Sequence, residues 1–196
     1  MYRKGHRHSS GHHREESSSR RNHEAGHHRR RSTGRLNEKD EHIRNLKAQI
    51  VRLGDKTTTK MEADIEELVK ILEPEIDTYT TELTDTIVDC VKGLSMKAPL
   101  YGAFVGLLYS KKPSFVHKLM KRVAVETCQS IERSEFLDAR SLLRFMVETV
   151  NCNVLTVHSI ITFFRSILKV PLDCKSQVPT CNKDIFVYLV LATFPW

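Results

Sequence analysis

The sequence has no C-x-x-C pair, no glycine-rich phosphate loop, no helical pair of histidines spaced for a metal, and no stretch that alternates with period two for long enough to form a strand. Each absence closes a class. Its cysteines, Cys90, Cys128, Cys152, Cys174 and Cys181, are five in number, and no Cys/His spacing fits a zinc module. They read as free thiols serving as small hydrophobes in a reducing compartment. The eight glycines are scattered. His117 and His158 stand isolated, and no Ser or Cys has a recognisable nucleophile setting, so neither enzymatic activity nor a cofactor is expected. The longest strongly apolar run, Ile185 to Phe194, is about half of what a membrane span requires, and no membrane contact is expected.

Charge is present but unevenly placed. Residues 1–35 hold ten of the 31 Lys and Arg and only three of the 24 acids, which equals the net +7 of the whole chain. The rest carries 21 of each sign. The basic pI therefore describes a tail and not a basic nucleic-acid-binding fold. Seven of the ten His also lie there, without fixed geometry for a metal, and the tail has almost no apolar residues. Residues 1–36 are expected to be disordered for want of surface to bury. Within them, Arg20-Arg21 and Arg29-Arg30-Arg31 form two basic clusters that suit the acidic grooves of a nuclear import adaptor, or serve as a general phosphate binder.

From Asn37 onward the apolar spacing is helical. Eight segments are predicted: 37–53, closed by Gly54; 60–72, with a Thr59/Glu62 capping box; a third opened by Pro74; 99–109, opened by Pro99; a fifth opened by Pro113; 135–151; a seventh with Val157, Ile160, Ile161, Phe164, Ile167 and Leu168; and an eighth from Asp184 to Thr193 after a polar loop. The sixth is apolar nearly all round, with Phe145 opposite its main face, which predicts a helix sandwiched between layers. Two helices recur about every 40 residues, the period of HEAT-like repeats. An all-α solenoid over 37–196 is expected, with a compact bundle as the competing architecture. The last helix runs to Phe194-Pro195-Trp196 without a polar cap and reads as a solenoid interrupted at its C-terminal end.

One basic face stands out in this region. Lys118, Lys121 and Arg122 share a side of the fifth helix, with Lys111 and Lys112 just ahead. They could meet RNA phosphate or an acidic partner. The competing reading is a solvated face, because Arg122 and Glu126 are spaced for an i,i+4 pair. Arg144, on the sixth helix, is expected to pair with a carboxylate or with helix-end carbonyls.

Four strings carry a family likeness: Leu53-Gly54-Asp55-Lys56, Val105-Gly106-Leu107-Leu108 before Phe115, Leu143-Arg144-Phe145 with Val150-Asn151-Cys152 and Val154, and Val187-Tyr188 with Leu191 ahead of Pro195-Trp196. In this order and spacing, residues 38–196 resemble the N-terminal domain of the large subunits of nuclear messenger-RNA cap-binding complexes. Ile185 and the segment 170–183 depart from the pattern, which leaves partner contacts there open. The resemblance implies a helical-repeat scaffold akin to the middle domain of translation-initiation scaffolds, and an arginine-rich import tail. It implies a nuclear protein, able to shuttle to the cytoplasm, whose small RNA-recognition-motif partner holds the cap and is contacted mainly through later domains. Capped RNA would be bound indirectly, and splicing, export, nonsense-mediated decay and translation supported together with export and processing factors. The alternative is another helical-repeat adaptor of mRNA translation or decay.

Overall fold

Helices account for every regular element among the residues that the computed structural model describes: 24–55, 60–173 and 180–194, with side chains for 38–55, 60–170 and 183–194. They are α1 (Glu24–Val51), α2 (Met61–Leu72), α3 (Thr80–Gly93), a 3-10 turn (Ser95–Lys97), α4 (Ala98–Lys111), α5 (Pro113–Glu132), α6 (Phe136–Asn151), α7 (Val157–Asp173) and α8 (Thr180–Leu191). Contacts divide the chain into a unit from Met1 to Glu41 and a unit from His42 to Trp196. In the first, the described residues are the N-terminal part of α1, and Glu38 to Glu41 are all exposed.

Several boundaries differ from those the pattern predicts. α1 begins at Glu24 and not near Asn37. Glu, Ala and Arg are good helix formers, and no proline precedes Pro74 to interrupt them. Residues 1–23 lie outside the described part, as does Thr59 of the expected capping box; at α2 the N-cap, Lys60, makes no side-chain cap bond. Pro74 does not open α3. Two consecutive turns, Ile76 N–H to Leu72 O at 3.0 Å and Tyr79 N–H to Glu75 O at 3.0 Å, fill the gap to Thr80. Their effect is to turn Ile76 into the core, where it is 1% exposed. α7 runs past Pro171 to Asp173, and α8 starts at Thr180, ahead of the expected Asp184.

The second unit is built by neighbours. α2 packs on α4, α4 on α6 and α6 on α8, while α3 packs on α5 and α7 touches α6 and α8. Among the described residues, no helix in this set contacts another more than three places away in the chain, which is the quasi-one-dimensional order of a helical-repeat solenoid. α6 touches α3, α4, α5, α7 and α8, so most of its apolar circumference is covered, with Leu137 at its start 70% exposed. Phe145, Leu142 and Leu143 are all fully buried there.

α4 meets α6 through small residues. Ala98, Gly102 and Gly106 recur every four residues, and a Cβ on Gly102 would stand 2.9 Å from Glu148 Cβ. One on Gly106 would stand 2.7 Å from Cys152 Cβ. This close approach fixes the rotation of α4: Tyr101, Phe104, Val105 and Leu108 go inside, while Leu107 is 40% exposed. The buried Tyr101 hydroxyl donates to Ile50 O at 3.2 Å and ties α4 to the end of α1.

The exit from α6 depends on a left-handed residue. Asn153 has φ 58°, and Val154 N–H reaches back to Thr149 O at 2.9 Å. Asn tolerates this conformation better than other residues with a Cβ.

Candidate functional site

The five cations expected to form one basic face are divided by the structure into two groups. Lys112 Nζ lies 2.6 Å from Asp77 Oδ2. Arg122 holds Glu126 Oε2 at 2.8 Å through Nη1 and Asp85 Oδ1 at 3.4 Å through Nε. These two are engaged in ion pairs, and Arg122–Glu126 is the i,i+4 pair that the spacing allowed. Lys111, Lys118 and Lys121 are exposed and make no ion pair among the described residues. Beside them, the rings of Tyr109 and His117 meet at right angles, with centroids 5.6 Å apart.

Glu126 anchors a network that sequence reasoning saw only in part. Besides Arg122, its Oε1 accepts from Lys92 Nζ at 3.0 Å and from Arg133 Nη2 at 2.9 Å. Lys92 also reaches Asp138 Oδ2 at 3.1 Å, and Arg133 reaches Glu135. Three elements meet on one carboxylate, α3, α5 and the turn after α5, and α6 joins them through Asp138 on Lys92. The bond from Lys92 chiefly holds the Glu126 carboxyl down at about 2, against the opposing effect of burial, with Arg122 and Arg133 adding to it. For Lys92 burial works downward, and its bonds to Glu126 and Asp138 outweigh it, so its pKa is raised. An i,i+4 count could find Arg122; Lys92 lies 34 residues away in sequence, and no local pattern points to it.

The remaining candidates are dispersed. His117 and His158 sit on different helices, both exposed. Among the described residues, no three His, Cys, Asp or Glu side chains gather as a metal site, and no helix is long and apolar enough to cross a membrane. Cys90 is buried beside the Tyr101 hydroxyl, with its thiol pushed up by burial, whereas Cys128 is exposed. Arg144 is half-buried and makes no ion pair among the described residues, where a carboxylate or helix-end carbonyls were expected. Of the residues proposed for import, Arg20 and Arg21 lie outside the described residues, and Arg29, Arg30 and Arg31 lie in α1 with undescribed side chains. The string Val187, Tyr188 and Leu191 faces outward, each about half or more exposed. Tyr188 there accepts a hydrogen bond from Arg140 at 2.9 Å.

Packing among helices near one another in the chain, with close small-residue contacts between them, defines a helical-repeat fold. Residues 45–196 match the MIF4G domain, and the chain belongs to that family. It is 27% identical over 151 residues to "Nuclear cap-binding protein subunit 1" of Anopheles gambiae, an alignment covering 77% of this chain and 18% of that protein. The corresponding protein of Salmo salar is 28% identical over 151 residues, covering 77% of this chain and 19% of its own length. The chain thus spans under a fifth of the length of these relatives.

Proposed function

We propose that this chain is the non-enzymatic, N-terminal scaffold region of a large nuclear cap-binding subunit. The observation that carries the reading is the likeness to nuclear cap-binding protein subunit 1 along 77% of the chain, within a MIF4G domain. The cap itself would be held by a small RNA-recognition-motif subunit, engaged mainly by regions outside this chain. Capped RNA is then bound indirectly, and the scaffold presents surfaces to splicing, export, decay and translation factors. Nuclear entry would run through an import adaptor recognising Arg20, Arg21, Arg29, Arg30 and Arg31.

The test is affinity capture of the tagged natural protein from nuclear extract. A small RNA-recognition-motif subunit and capped transcripts should be retained, and methylated cap analogue should release the transcripts where GTP does not. Recovery without that subunit, and without cap-dependent release, would leave a helical-repeat adaptor of another mRNA process.

A further inference from the structure

Between Asp89 and Glu126 the sequence contains seven Lys or Arg and no acid. The structure sorts these cations by what they hold. Lys92 and Arg122 belong to the Glu126 network, Lys97 binds Asp55, and Lys112 binds Asp77. The acids that these four reach, Glu126, Asp55, Asp77 and Asp85, are thereby engaged. The three cations left over, Lys111, Lys118 and Lys121, flank one turn: Lys111 ends α4, and Lys118 and Lys121 stand one helical turn apart on α5. They make no ion pair among the described residues and face solvent.

An acidic peptide and a nucleic acid could both answer that charge, and two features favour the second. The free cations are all lysines, point charges suited to phosphate, while the only arginine, whose planar fork matches carboxylates, is occupied by Glu126 and Asp85. In addition, an exposed imidazole stands directly before Lys118, braced by Tyr109 at 5.6 Å. Aromatic faces among lysines are how unpaired bases are stacked while their backbone is neutralised.

We propose that the α4–α5 turn docks single-stranded RNA, with Lys111, Lys118 and Lys121 on successive phosphates and an unstacked base against His117. The site reads no sequence and needs no cap, so it stands or falls independently of cap-complex membership. Its use would be to hold the transcript body alongside the scaffold.

The experiment uses the full chain and an uncapped oligouridine carrying 4-thiouridine, followed over a salt series, with crosslinked peptides mapped. A parallel series carries Arg20, Arg21, Arg29, Arg30 and Arg31 as alanines, which removes the other basic cluster. In both backgrounds crosslinks should fall on the segment around His117. K111E/K118E/K121E should weaken binding at least tenfold and make the log–log salt slope shallower by about 2, at roughly 0.7 per phosphate contact. The melting temperature should not change, because none of the three lysines has a partner to lose. His117→Ala should reduce the crosslink yield and leave the slope alone. Crosslinks confined to residues 1–35, or an unchanged slope in the triple variant, would overturn the proposal. So would displacement of a labelled polyglutamate, but not RNA, by the charge reversals.

Discussion

Lys92 Nζ stands 3.0 Å from Glu126 Oε1, across 34 residues of sequence, and this contact joins α3 to α5 at a carboxylate whose side chain is 9% exposed. Replacing Glu126 by Gln keeps the shape and removes the charge that three cations share. Lys92, Arg122 and Arg133 are partly solvated, so the expected loss is about 2–3 kcal/mol, below that of a fully buried pair. Urea denaturation of both proteins measures it, and a difference under about 0.5 kcal/mol would make the network ornamental.

The same carboxylate predicts a pH dependence. Its folded pKa, about 2, lies below its ordinary 4.5, so its contribution is complete above the ordinary value and is lost as pH falls toward 2. The stability gap between the natural protein and Glu126→Gln should be flat from pH 7 to about 5, narrow below that, and close near pH 2. A gap that persists at pH 2 would assign the stabilisation to something other than ionised Glu126.

The α4–α6 contact predicts opposite outcomes for two glycines. Gly106→Ala would push a Cβ to 2.7 Å from Cys152 Cβ, an atom fixed to the backbone, so α4 and α6 must separate. Overpacking outweighs the gain in helix propensity, for a net loss of about 1–2 kcal/mol. Gly93, whose added Cβ meets nothing within 4 Å, should accept Ala with no loss. Thermal melts of the two variants decide, and equal behaviour would remove the close-approach argument.

Phe145→Ala empties a fully buried site between packed helices and should cost about 3–5 kcal/mol by denaturant unfolding. A loss below about 1 kcal/mol would mean that α6 has a solvent face after all.

A scaffold that leaves cap recognition to a partner should not distinguish methylated cap analogue from GTP. Phe104, Phe115, Phe145 and Phe164 are spent on the core. The described ring pairs, His42–Tyr79, Tyr109–His117 and Phe164–Phe194, are tilted or perpendicular and form no parallel slot for a planar cation. Fluorescence titration of the isolated chain with both nucleotides should give indistinguishable curves. Methyl-selective, salt-resistant binding would move the cap site into this chain.

Helix content, the buried identities of Phe145 and Phe164, and the stop at Gly54, which sits at φ 75°, were all legible in the sequence. They follow from apolar periodicity and from a backbone angle that glycine adopts freely, both local properties. The i,i+4 pair of Arg122 and Glu126 was legible for the same reason. What the chain sequence could not disclose was which surface of α4 lies inside, because that depends on how closely α6 approaches Gly102 and Gly106. Nor could it say that Lys112 and Arg122 are engaged while Lys111, Lys118 and Lys121 are free. Ion pairing across 34 to 37 residues is decided by how the helices pack, and only the tertiary structure brings Asp77, Asp85 and Lys92 to their partners.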